Sequence, residues 1–216
     1  MSTSFPIQSL KPIASGKFRL VYEHPDNRNL LIKVIRPEMI DKRWGSGSPW
    51  YKRRRRMKQY SLYLREINEF LATCAADGKA PSFAQKITGL IETDLGLGLI
   101  TEAARDRGGN LGLPLKRLLV DQRFDDVARA ALDRFTEALL KSNIVIADLH
   151  TGNIVYAYNE TEGDHFVLID GIGAATLIPL KVWSRRVNLS SKKSSIAKLY
   201  ATVAKYPKTK PSTEVS

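Results

Sequence analysis

The sequence predicts an α+β fold: an antiparallel meander of strands near the N-terminus with one helix, then a largely helical second half interrupted by short strands and polar loops. Three observations predict it. Short apolar runs bounded by turn residues recur over 9–35 and 87–101. Apolar residues at helical spacing recur over 59–76 and 125–139. Between 144 and 173, three apolar runs alternate with polar, glycine-containing loops.

The elements follow in order. Ser9 to Ala14 and Phe18 to Glu23 read as two strands around a Ser15-Gly16 turn, and Pro25-Asp26-Asn27 is a second turn. Leu30 to Ile35 is a buried strand interrupted by Lys33, and Pro37 ends it. Burying an unpaired ammonium is costly, so Lys33 either faces solvent or meets an anion. Residues 41–58, with Gly45, Gly47, Pro49 and a basic run, read as a loop or a poorly ordered insertion. From Gln59 to Ala76, Tyr60, Tyr63, Leu64, Ile67, Phe70, Leu71 and Cys74 form an apolar helical stripe, with Arg65, Glu66, Asn68 and Glu69 opposite. Asp77-Gly78 stops that helix. The Tyr60/Tyr63 stripe reads as core. Strands near Ile87–Glu92 and Leu97–Thr101 flank an Asp94-Leu95-Gly96 turn. Glu102 to Gly112 is a polar connector, and Leu113 to Val120 a short helix. Asp125 caps a helix carrying Val127, Ala131, Leu132, Phe135, Ala138 and Leu139, which Ser142-Asn143 ends. Ile144-Val145-Ile146, Ile154-Val155-Tyr156 and Phe166 to Ile169 are short strands. A helix over about Ser190 to Lys205 and a frayed polar tail from Pro207 complete the chain.

Composition narrows the function classes. A length of 216 residues suits one domain or one compact two-lobed unit. No apolar run approaches the roughly 20 residues that span a bilayer. Met1 to Lys11 lacks the basic start and apolar stretch of a signal peptide, so a cytoplasmic location is expected. Cys74 is the one cysteine, which excludes an internal disulfide or a cysteine metal cluster within a chain. Its place on the apolar stripe predicts a buried, inert thiol. The formal charge of +12 is concentrated. Residues 41–58 carry eight Lys/Arg against Asp41, a net +7, and 181–216 carry nine against Glu214, a net +8. The remainder is therefore mildly acidic. Such segments touch phosphates in nucleic acid, lipid headgroups or phosphosugars, or they are solvated basic faces. No recognised nucleic-acid module is present, and the basic run lacks interleaved stacking aromatics apart from Trp50-Tyr51 at its start.

Asp148, Asn153 and Asp170 carry the chemistry. Each is delivered at the edge of a short strand, with Gly152 beside Asn153 and Gly171 beside Asp170 to let the backbone bend. Carboxylates and an amide are hard oxygen donors that suit magnesium together with substrate phosphates. Phosphoryl transfer needs metal-held phosphates, a carboxylate near the attacking hydroxyl, and a cation on the nucleotide. Lys33 could supply the cation, and Glu66 or Glu69 could hold it as an ion pair. His150, in the same loop, reads as a structural hydrogen-bonder.

A strand lysine, a helix glutamate, an Asp-x-x-x-x-Asn loop and an Asp-Gly after a strand follow the protein-kinase-like order over nearly the whole chain. The loop Asp148-Leu149-His150-Thr151-Gly152-Asn153 is more similar to small-molecule and lipopolysaccharide-core kinases than to eukaryotic protein kinases. More narrowly, Leu30 to Arg36, Tyr63-Leu64-Arg65-Glu66-Ile67, Leu99-Ile100-Thr101-Glu102 and Ile146 to Ile154 resemble the bacterial YrbL family, PhoP-regulon proteins with a kinase-like fold. The resemblance implies two lobes: residues 1–102, with the basic insertion 41–58, as an antiparallel sheet plus one helix, and 103–206 as a reduced helical lobe holding the catalytic and metal loops. Residues 207–216 would be a flexible tail. It implies ATP and Mg2+ as cofactors. Asp148 would orient or deprotonate an acceptor hydroxyl, and Asn153 and Asp170 would bind magnesium. Lys33 would contact the phosphates and pair with Glu66. Thr101, Glu102 and Ala103 would form the adenine hinge, and the Ala14-Ser15-Gly16-Lys17 turn would cover the phosphates.

The chain departs from the protein-kinase pattern in four places. The covering turn has one glycine, Gly16. Ile146-Ala147 stands where protein kinases have His-Arg before the catalytic Asp. Gly171 follows Asp170 directly, and only 46 residues come after Asp170. A peptide platform is not expected. The functional expectation is an ATP/Mg-dependent phosphotransferase acting on a small-molecule, sugar, lipid or protein hydroxyl. The alternative is a pseudokinase-like nucleotide-binding module that docks an anionic partner through residues 42–58 and 181–210.

Overall fold

A computed structural model describes residues 4–47, 49–50, 57–173 and 184–206. Among them lie eight strands and five α-helices, a mixed α+β protein with antiparallel sheets. The chain forms two compact units. The first comprises Met1–Ile67 and Lys86–Ala103, the second Asn68–Gln85 and Ala104–Ser216. Most of the basic run, Lys52 to Arg56, and the tail from Pro207 lie outside the described residues. No helix among the described residues is long and apolar enough to cross a membrane.

The first unit is built on a five-stranded sheet in the order β1-β2-β3-β5-β4, formed by β1 (Ala14–Ser15), β2 (Arg19–His24), β3 (Asn27–Ile35), β4 (Ile87–Thr93) and β5 (Gly96–Glu102). All its neighbours are antiparallel, and short turns at Pro25-Asp26 and Asp94-Leu95 require this for β2–β3 and β4–β5. β1 is far shorter than the Ser9 to Ala14 strand the sequence predicts. Pro12 has no N–H to give, and the Leu10 amide instead closes a turn onto Ile7 O at 3.0 Å. β3 lies centrally, with Lys33 between Val21 on one side and Leu99 on the other. Ile32, Val34, Tyr22 and Ile7 pack on one face of the sheet, while Ile35, Leu99 and Tyr63 form a second cluster.

Helix α1 (Pro37–Trp44) replaces the first part of the predicted loop. The signal was legible: proline at the first helical position has no N–H to lose, and Glu38 in the first turn complements the helix dipole. Helix α2 (Ser61–Asp77) follows a 3-10 turn at Lys58–Tyr60. Its periodicity holds for Tyr63, which is buried and donates its hydroxyl to Lys33 O at 2.8 Å. The periodicity fails at Leu71, which is 57% exposed, and at Glu66, which is buried. Cys74 is half-buried rather than enclosed.

The second unit has a three-stranded sheet, β6 (Leu113–Pro114), β7 (Ile154–Asn159) and β8 (Gly163–Leu168), in that order. It is covered by α3 (Leu115–Val120), α4 (Asp126–Lys141) and α5 (Arg185–Val203) around one apolar core that includes Leu132, Phe135, Leu139, Ile154, Phe166 and Leu199. Asp125 caps α4, its carboxylate accepting from Ala128 N at 2.8 Å. Val127, predicted on the apolar face, is 54% exposed. α5 begins five residues earlier than predicted because Ser184 caps it, accepting from Val187 N. Ile144 to Ile146 is buried but forms no ladder; its pairing is the isolated bridge Ile146↔Ile172.

Candidate active site

An antiparallel hairpin positions two of the three candidate residues. β7 begins immediately after Asn153, and β8 ends two residues before Asp170. The register pairs Ile154 with Leu168, which places the entry of one strand beside the exit of the other. The Ile169 amide then donates to Asn153 O at 2.9 Å, fixing Asn153 beside the residue that precedes Asp170.

Gly171 brings in the third. Its carbonyl accepts from Ala147 N at 2.8 Å and Asp148 N at 3.3 Å. Its φ is +82°, and a Cβ placed there would lie 2.2 Å from Asp148 O and 3.3 Å from Asn153 Nδ2. Asn153 Nδ2 also donates to Asp148 O at 3.3 Å. Asp148, Asn153 and the Asp170-Gly171 step are therefore gathered within one unit. The Gly171 amide donates to Asp170 Oδ1 at 2.6 Å, which restrains that carboxylate.

The loop itself is ordered by local bonds. Leu149 and Thr151 are buried, while the Asp148 side chain is 66% exposed. His150 Nδ1 accepts from Gly152 N at 3.0 Å. The neutral imidazole must then carry its proton on Nε2, which lies 3.6 Å from Asp148 Oδ2. His150 is thus a structural hydrogen-bonder whose other nitrogen faces the Asp148 carboxylate. Among the described residues no three His, Cys, Asp or Glu side chains form a metal cluster. The donor set at Asn153 and Asp170 is all oxygen and incomplete by itself. It fits magnesium, which keeps water and phosphate oxygens among its ligands.

In the first unit, Lys33 is 6% exposed, which excludes the solvent-facing alternative. Glu66 is 4% exposed, and its carboxylate lies 2.7 Å from Arg19 Nη2. Among the described residues Glu66 Oε1 makes no further hydrogen bond, and its contact with Arg19 is a buried ion pair. Arg19 was missed in the sequence, although an arginine opening an apolar strand was a visible signal. In the second unit, Glu69 Oε1 accepts from Val145 N at 2.7 Å, and burial pushes its carboxyl above the usual range. At the expected hinge, the amides of Glu102 and Ala103 donate to Lys86 O and Asn29 O at 3.0 and 2.8 Å. An adenine there would have to be met by other backbone groups. In the covering turn, Gly16 N donates to Arg19 O at 2.9 Å, and Arg36 Nη2 donates to Ser15 Oγ at 2.9 Å.

The family model described as PhoP regulatory network protein YrbL matches residues 7–206. The chain belongs to the YrbL family. Over 178 residues it is 28% identical to the uncharacterized protein YrbL of Escherichia coli (strain K12), an alignment covering 81% of this chain and 76% of that protein. The YrbL protein of Shigella flexneri gives the same identity and coverage. The family match spans both compact units, from Ile7 in the first sheet's apolar cluster to Tyr206 just beyond α5.

Proposed function

We propose that this YrbL-family chain is an ATP- and magnesium-dependent phosphotransferase of protein-kinase-like type. The observation that carries the reading is the gathering of Asp148, Asn153 and Asp170 around Gly171, with Asp148 left exposed. A carboxylate that is exposed while its own backbone is pinned suits proton transfer with an incoming acceptor. Supporting it are the antiparallel sheet with a buried lysine on its central strand, and the order in which the residues fall along the chain.

In this reading the acceptor O–H gives its proton to the Asp148 carboxylate. The acceptor oxygen bonds the γ-phosphoryl group as the bond to the departing nucleoside diphosphate breaks. Asn153 and Asp170 would hold magnesium, which when bound supplies charge neutralisation on the phosphates. Lys33 would contact the phosphates, and Ser15 and Gly16 would lie over them. Glu66, engaged with Arg19, would organise the buried charges beside the sheet. The acceptor is a hydroxyl of a small molecule, sugar, lipid or protein.

The test is magnesium-dependent ATP consumption by purified protein across those acceptor classes. Asp148→Ala should lower kcat by about 10²–10⁴-fold while magnesium-nucleotide binding persists. Asp170→Ala should abolish the magnesium dependence of nucleotide binding. Wild-type protein that transfers phosphate to none of these acceptors, water included, would sink the proposal.

A further inference from the structure

The segment leading into the Asp148 loop is buried yet, among the described residues, belongs to no sheet ladder. Ile144, Val145 and Ile146 are 0%, 3% and 5% exposed, and among the described residues the bridge they make is Ile146↔Ile172. Buried backbone groups need partners, and here side chains supply what a neighbouring strand would. Asn188 of α5, 6% exposed, donates both hydrogens of Nδ2, one to Asn143 O and one to Ile144 O, each at 3.1 Å. Four residues on, on the same helix face, Lys192 is 3% exposed. Its Nζ donates to Leu139 O and Ser142 O at 2.9 Å and lies 3.3 Å from Ser142 Oγ, closing the C-terminal turn of α4. From α2, Glu69 takes the Val145 amide, and Asp77 Oδ1 accepts from Asn143 Nδ2 at 2.8 Å. Beyond this point Gly173 N donates to Val145 O at 2.8 Å, and the Ala147 and Asp148 amides reach Gly171 O.

We infer that Asn188, backed by Lys192, is a positioning residue that sets the register of residues 143–146 and through them the placement of Asp148. Apolar burial alone does not fix that register, because it is non-directional. A primary amide is the one short side-chain group that offers two hydrogens from one nitrogen to two successive carbonyls while staying neutral. Asn188→Asp keeps the shape and replaces the donating nitrogen with one carboxylate oxygen that repels both carbonyls. Asn188→Ala leaves both carbonyls bare.

The inference rests on the phosphotransferase reading only for its catalytic readout. The experiment compares full-length wild type, Asn188→Asp, Asn188→Ala and Lys192→Met with Leu118→Ala, a cavity in the same apolar core whose side chain makes none of these hydrogen bonds. Amide hydrogen exchange at Ala147, Asp148 and Gly173 is expected to be at least about tenfold faster in the Asn188 variants than in Leu118→Ala. Exchange at the Leu118→Ala rate overturns the inference. With ATP, kcat should fall about 100-fold in Asn188→Asp while KM for ATP stays within about twofold, and Leu118→Ala should keep its kcat. An unchanged kcat with raised KM overturns the positioning role. If Asn188→Asp fails to fold, Asn188→Ala and Lys192→Met carry the same comparison. Wild type without turnover removes the phosphotransferase reading, and the exchange rates then decide the positioning alone.

Discussion

Adding one methyl group at Gly171 tests the geometry on which the candidate site depends. Gly171→Ala places Cβ 2.2 Å from Asp148 O, a separation that Cβ atoms essentially never tolerate, and the neighbour is backbone. The two segments must part by about 1.2–1.8 Å to restore ordinary contact. Parting them strains or breaks the bonds from Ala147 N and Asp148 N to Gly171 O, each worth about 0.5–1.5 kcal/mol net. The φ of +82° adds about 1–2 kcal/mol for a residue with a side chain. The expected destabilisation is therefore about 2–5 kcal/mol. Gly163→Ala is the internal control. Its φ is +66°, but a Cβ there meets nothing within 4 Å, so only the conformational cost of about 1–2 kcal/mol applies. Urea unfolding followed by circular dichroism measures both. Thermal midpoints should fall by about 2–4 °C per kcal/mol for a chain of this size. If Gly171→Ala is no more destabilising than Gly163→Ala, the close approach between the Asp170 turn and the Asp148 loop is wrong.

Other predictions address separate parts of the molecule. Burial holds Lys192 down at about 8, against an ordinary 10.5. Between those values the unfolded chain binds more protons than the native one, so this group makes stability rise with pH. The stability of wild type relative to Lys192→Met should thus grow by about 1–2 kcal/mol from pH 8 to 9.5; a flat difference in urea midpoints would show that the ammonium is not desolvated. Glu66→Ala leaves Arg19 in a buried setting without that carboxylate and should cost about 3–5 kcal/mol, whereas Arg19→Met combined with Glu66→Leu should cost far less. A double-mutant cycle by chemical denaturation returns the coupling, and additive effects would mean the pair does not interact. Asp125→Ala removes the α4 cap and should lower stability by about 1 kcal/mol, with Asp125→Asn close to wild type; equal losses in the two variants would assign the effect to charge rather than to capping.

Much of this protein was legible along the chain. Apolar periodicity and turn residues are local properties, so they located the β2, β3, β4 and β5 strands, the α2 and α4 helices and the Asp125 cap. The two basic segments and the order Lys33, Glu66, Asp148, Asn153, Asp170 could be read the same way. The late start of β1 and the start of α1 were also written locally, in Pro12 and Pro37, but each competed with an equally local strand or loop reading. Long-range approach was not legible. Nothing near Gly171 in the sequence says that its missing Cβ makes room for Asp148 O. Nothing near Asn188 says that its amide faces two carbonyls some 44 residues earlier. Glu66 looked solvent-facing by helical period, and the tertiary fold buried it against Arg19. Period and propensity act through neighbours a few residues away, whereas the placement of Asp148 depends on backbone groups brought together by packing the β7–β8 hairpin and α5 into one core. The sequence by itself determined which chemical groups are present and which strands and loops carry them. The tertiary structure decided which of those groups meet, because only closed packing leaves a buried carbonyl or carboxylate no partner but a distant one.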